Sequence, residues 1–148
     1  MTEKTDRQRW MGLLAKASAE DLAELWVARG DSPAFEWLRA PETGAVMVRA
    51  RTGGSGAPFN LGEMTVTRCA LQLDTGEVGH AYVQGRDKAK ARIAALIDAL
   101  MQTPAAGALE DAVLTPLTER ATAAKARRAG KAAATKVEFF ALARGEDP

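Results

Sequence analysis

The sequence predicts an α+β fold: a small antiparallel sheet of about four strands, packed with an N-terminal helical hairpin, one amphipathic covering helix and a C-terminal helical segment. Three observations carry this. Apolar residues recur at helical spacing before residue 30 and again from residue 86. Between those segments they alternate with polar ones, as in half-buried strands. Asp74-Thr75-Gly76 separates two alternating runs and reads as a hairpin turn.

At the start, Thr5 and Gln8 fit a capping box, followed by Trp10, Leu13, Leu14 and Ala17 at helical intervals. Ser18 and Asp21 offer a second cap before Leu22, Leu25 and Trp26. Gly30 stops that helix and Asp31-Ser32-Pro33 turns the chain. The two tryptophans are expected to pack these helices onto an apolar surface.

The middle is expected to be β-structure. Phe35–Ala40 and Ala45–Arg51 read as two strands joined by the turn-forming Pro41-Glu42-Thr43-Gly44. In the second, Val46, Val48 and Ala50 fall on one face, and Met47, Arg49 and Arg51 on the other. Met64–Leu73 and Glu77–Gln84 form the clearest hairpin. Arg86–Met101 is the clearest helix, with Ile93, Leu96, Ile97 and Leu100 forming a stripe opposite Lys88, Arg92 and Asp98.

Thr103–Gly107 interrupts the pattern. A short amphipathic stretch follows through Leu109, Val113 and Leu114, and Thr115-Pro116 reads as an N-cap with a first-turn proline. The last helix, about residues 116–136, is rich in alanine and carries Arg120, Lys125, Arg127, Arg128, Lys131 and Lys136 against Glu119, a local charge of 6 − 1 = +5. Without a bulky stripe it is either a solvated face or an interaction arm that closes on a partner. Phe139 and Phe140 near the C-terminus are expected to dock, in cis or onto another chain.

Composition narrows the function. With 148 residues, 47% of them hydrophobic and 26% charged, the chain is expected to be a single domain, residues 1–148. A net charge of +1 predicts no general attraction to nucleic acid or anionic membranes, so any functional cation must act locally. Nor are aromatics interleaved with the basic residues of the last helix, which argues against a stand-alone nucleic-acid binder. Cys69 is the single cysteine, so neither an intrachain disulfide nor a thiolate metal cage can form. The start, MTEKTDRQRW, lacks the apolar core of a secretory signal, and no apolar run reaches the roughly 20 residues that span a bilayer. A cytoplasmic location is the expectation.

The candidate anion sites are local. Arg49 and Arg51 lead into Gly53, Gly54 and Gly56, whose freedom lets backbone N–H groups converge on an anion. No lysine follows as in a P-loop, and the dinucleotide fingerprint lacks its third glycine, with Phe59 in its place. The stretch reads either as an anion or partner contact or as a flexible loop beside exposed arginines. A second candidate is Arg86 with Lys88 at a strand-to-helix junction, where Asp87 can compete for the same N–H groups.

His80 lacks an obvious nucleophile, orienting carboxylate or fellow metal ligand and reads as a strand residue. A two-residue turn would put Arg68 on the opposite face from His80. A three-residue turn would gather Arg68, His80 and Tyr82. Cys69 reads as a packed side chain. No catalytic set and no metal site emerge from the residues.

The segment GHAYVQGRDKAKARIAALIDALMQ (79–102) strongly resembles the PhnG family, the small subunit of the bacterial carbon–phosphorus lyase core complex. RQRWMGLLAKA, PETGAVMVRARTGGSGAPFNLGEMTVTRCALQL and KVEFFALARG resemble it in the same order, covering nearly the whole chain. The resemblance implies a role in moving methylphosphonate onto the ribose 5-triphosphate of ATP with release of adenine, the displacement being assigned to a large nucleosidase-like subunit. It implies other core-complex subunits as partners and two copies of each, with no nucleic acid and no membrane. It also implies that this chain alone binds no cofactor, while ATP is the complex's substrate and a partner carries an iron–sulfur cluster. The resemblance further implies that Cys69 and His80 fall at positions where other residues are tolerated. Beside this, Arg49, Arg51, Gly53, Gly54, Gly56, Arg68, His80, Arg86 and Lys88 stand as anion- or partner-binding candidates. Arg127, Arg128, Phe139 and Phe140 stand as interface candidates.

Overall fold

The computed structural model describes residues 2–30 and 32–143, with side chains described for 6–30 and 32–135. Helices α1 (Thr2–Lys16) and α2 (Ala19–Arg29) precede strands β1 (Phe35–Arg51), β2 (Pro58–Leu73) and β3 (Val78–Gln84). Then come α3 (Lys88–Leu100), a single turn α4 (Ala106–Leu109), a π-type turn (Glu110–Leu114) and α5 (Thr115–Ala143). The α+β class is as the sequence predicts.

The sheet has three strands, in the order β1-β2-β3, where the sequence suggested about four. The correction lies at Pro41–Gly44. These residues do not turn the chain but continue β1, whose pairing with β2 shifts register between Trp37 and Arg39 and again between Arg39 and Glu42. Proline is tolerated there because β1 is an edge strand, so the missing N–H breaks no ladder on its open side, and the irregularity absorbs the ring.

β3 pairs with β2 only from Val66↔Gln84 to Gln72↔Val78, whereas β1 and β2 stay paired out to Arg51↔Pro58. The outer half of the β1–β2 hairpin therefore stands alone as a two-stranded arm.

The helices cover one face of the sheet. Cys69, Leu71, Leu73, Ala81 and Val83 point into the core with Ile93, Leu96 and Ile97 of α3. α1 and α2 each pack on α3, bringing in Trp10, Leu14, Leu22 and Trp26. Ser18 caps α2 by accepting from the Asp21 N–H (3.0 Å), and Gly30 ends it with φ 80°. α1 begins at Thr2, upstream of the Thr5–Gln8 box. The side chain of Thr5, and Asp31 of the following turn, lie outside the described residues.

Because α1, α2 and the turns after α3 surround it, α3 is buried on nearly every side. Asp98, expected on its polar face, is fully buried, and so is most of Lys90. Thr115 is also not the expected cap. Its φ/ψ of −63°/−48° are helical, and the π-type turn before it carries the chain without interruption into α5. A wider turn supplies the slack that Pro116 needs, since its ring clashes with an ordinary preceding helical turn. Helix α5 has 29 residues, about 43 Å, and beyond Arg120 only Ala124 is even half-buried through residue 135.

Candidate functional site

The glycine-rich tip of the arm is a built turn. Gly53 and Gly54 take φ of 61° and 83°, a left-handed backbone that L side chains rarely adopt. The Gly56 N–H donates to the Thr52 carbonyl (2.8 Å), and the Arg51 guanidinium donates to the Gly56 carbonyl (3.2 Å). Arg51 is thus partly used in closing its own turn. Arg49 is exposed and has no ion-pair partner among the described residues. Around it Met47, Phe59 and Leu61 are 53%, 46% and 66% exposed, an apolar dressing that the small ribbon cannot bury for itself.

The open face of the sheet resolves the register question. Leu73 and Glu77 bracket a three-residue turn, closed by Leu73 N–H to the Glu77 carbonyl (2.9 Å) and Gly76 N–H to the Leu73 carbonyl (2.9 Å). Arg68 therefore lies opposite Tyr82, and Arg68, His80 and Tyr82 share one face. Glu42 sits beside them, with Arg68 Nε at 3.7 Å and Arg39 Nη1 at 3.8 Å from Oε2. Both pairs are exposed and contribute little to stability. From Glu42, opposite Arg68, to Arg51 the strand rises about 30 Å, so tip and face are separate places.

The third candidate closes on itself. The Asp87 carboxylate accepts from the Lys90 N–H (2.9 Å) and caps α3, occupying the position an anion would take. Arg86 and Lys88 are exposed beside it. Arg127 and Arg128 project from α5, also exposed. The side chains of Lys136, Phe139 and Phe140 lie outside the described residues.

The chain matches the family model for the phosphonate metabolism protein PhnG over residues 5–145. It belongs to the PhnG family. It is also 48% identical over 141 residues to the alpha-D-ribose 1-methylphosphonate 5-triphosphate synthase subunit PhnG of Rhizobium meliloti (strain 1021), covering 95% of this chain and 90% of that relative.

In this PhnG-family chain the dispersed cations can brace a partner or an anion, but the described residues assemble no nucleophile with its base. Among them, no three His, Cys, Asp or Glu residues are placed to hold one metal ion. No helix of the described residues is long and apolar enough to cross a membrane. The His80 imidazole has no hydrogen-bond partner among the described residues, and its backbone N–H is held by Asp98 (2.8 Å).

Cys69 is buried and its thiol donates to the Ala91 carbonyl (3.3 Å). Burial pushes its pKa from 9.0 up to about 11. A raised folded-state value stabilises fully below pH 9 and is lost as pH rises through 11. Unfolding by urea at pH 8 and pH 10.5 should therefore show a loss of about 2 kcal/mol in wild type that Cys69→Ala does not show. Equal pH slopes for the two proteins would refute it.

Two important charged residues escaped sequence reasoning. Asp98 accepts from Trp10 Nε1 (2.8 Å), Arg7 Nη2 (3.0 Å), Arg7 Nε (3.3 Å) and the His80 N–H (2.8 Å), tying α1 and β3 to α3. Lys90 donates to the Ala15 carbonyl (3.0 Å) in the last turn of α1, and burial lowers its pKa while the nearby Asp87 opposes that shift. The available signal was Trp10, because a buried indole N–H needs an acceptor.

Proposed function

We propose that this chain is an accessory subunit of a ribose 1-methylphosphonate 5-triphosphate synthase, and that it assembles with a larger nucleosidase-like subunit that performs the displacement. In that reaction methylphosphonate replaces adenine at the anomeric carbon of ATP. The observation that supports an accessory role is the separation of the cations: Arg49 near the arm tip, Arg68 about 23 Å away along the sheet, and Arg86 beside a helix start already capped by Asp87. Chemistry on a triphosphate needs donors converging on one developing charge. The exposed Met47, Phe59 and Leu61 instead suit contact with another subunit.

A second reading has a specific support: Arg49 has no ion-pair partner among the described residues, stands beside the Gly53-Gly54 turn, and could reach a triphosphate held by the partner. The chain should co-purify stoichiometrically with the larger subunit when the two are co-expressed, and a monomer that ignores that subunit ends the subunit reading. In the assembled complex, Arg49→Ala should leave turnover within about twofold if the chain is accessory. A loss of about 100-fold with the complex intact would make Arg49 a participant in the reaction.

A further inference from the structure

Between α1 and α5 runs a groove of about 690 Å³ that the subunit reading does not by itself explain. One wall is the face of α1 carrying Gly12 and Leu13, and the other is the stripe of α5 carrying Ala121 and Ala124. From Leu117 to Arg128 the α5 wall runs about 16 Å, long enough for about three turns of a helix laid alongside. The small residues let another backbone come close. Lys16 and Arg128 stand on its borders, and neither has an ion-pair partner among the described residues.

The molecule shows in cis what such a surface recognises. Two turns before Arg128, Arg120 of α5 holds an acidic helix, donating to Asp21 Oδ1 (2.8 Å) and Glu24 Oε1 (3.2 Å), carboxylates three residues apart on α2. Past α2, the next cation on this wall, Arg128, meets no such helix among the described residues.

Resting on the subunit reading, we infer that this groove receives an amphipathic helix of a partner subunit, with small or apolar residues facing α1 and α5 and carboxylates facing Lys16 and Arg128. A second copy of this chain is a poor occupant. Its α5 is basic and would repel, and its acidic α2 already buries Leu22 and Trp26 in its own core.

The test uses the synthase subunits co-expressed with tagged chain, comparing wild type, the double variant Lys16→Glu/Arg128→Glu, and Gly12→Trp. A Cβ at Gly12 meets nothing within 4 Å, so a larger side chain leaves the backbone into open space, and circular dichroism checks that the Trp variant keeps the fold. Each folded variant should lower recovery of at least one other subunit about tenfold, and for wild type that recovery should fall steeply with added salt. Wild-type recovery of every subunit from both variants overturns the inference. So does a chain that dimerises alone through this groove and loses dimerisation in the double variant. If wild type itself captures no synthase subunit, the subunit reading fails first, and the groove inference fails with it.

Discussion

Gly79→Ala should be among the most damaging single-atom changes in this protein, lowering stability by about 3 kcal/mol or more and the melting temperature by about 10 °C. Gly79 lies in β3 where α3 crosses it. A Cβ there would fall 2.0 Å from the Ala95 carbonyl oxygen and 2.9 Å from the Ala99 N and Cβ. The nearest atom is helix backbone, so no side chain can swing aside. Relief requires α3 to lift off the sheet, weakening contacts of Leu96, Ile97 and Val83 together. Thermal unfolding followed by circular dichroism measures it, and a melting temperature within 2 °C of wild type would show that the helix–sheet spacing is not set here.

Asp98→Ala should cost about 3 kcal/mol and should loosen α1 in particular. The carboxylate is fully buried and accepts four hydrogen bonds, from Arg7, Trp10 and His80. Removing it leaves the Trp10 indole and the His80 backbone N–H without acceptors inside the core. Arg7 is partly exposed and can turn to water, which keeps the cost below that of a fully enclosed ion pair. Hydrogen exchange should show α1 amides losing protection before those of β2. Asp98→Asn should recover part of the loss, since an amide keeps one accepting oxygen but turns two hydrogens toward donors. Equal protection of α1 in Asp98→Ala and wild type would remove this carboxylate from the account of how α1 is held.

How far the fold was legible depends on whether a signal is local. Ser18, Gly30 and Asp87 cap the helices they were expected to cap, because a short side chain or a left-handed glycine satisfies helix ends within a few residues. Asp74-Thr75-Gly76 forms a three-residue turn, one of the two registers open in the sequence. Pro41–Gly44 misled because a proline-glycine stretch has the chemistry of a turn, and only the edge position of β1 lets a strand run through it. Thr115-Pro116 misled in the same way, since the π-type turn that accommodates the proline is decided by the packing of Leu109, Val113 and Leu114.

The candidate site was legible as residue types but not as an arrangement. Arg49, Arg51 and Arg68 are exposed as their alternation implies. That they occupy separate places follows from a β1–β2 hairpin twice as long as the strand beside it. Asp98 was read as solvated because charge on a helix usually marks its wet face, and Lys90 drew no reading of its own. Here helices enclose α3 on nearly every side, and a charge can stay inside because partners distant in sequence satisfy it.

The sequence by itself determined the α+β class, many of the apolar core positions, the caps at Ser18, Gly30 and Asp87 and the membership of the PhnG family, all of which rest on spacing and motifs along the chain. Only the tertiary structure decided the number of strands, the projecting arm, the burial of Asp98 and the groove beside α5. Those depend on which distant segments meet, and hydrogen bonding or desolvation between such segments leaves no mark on either one alone.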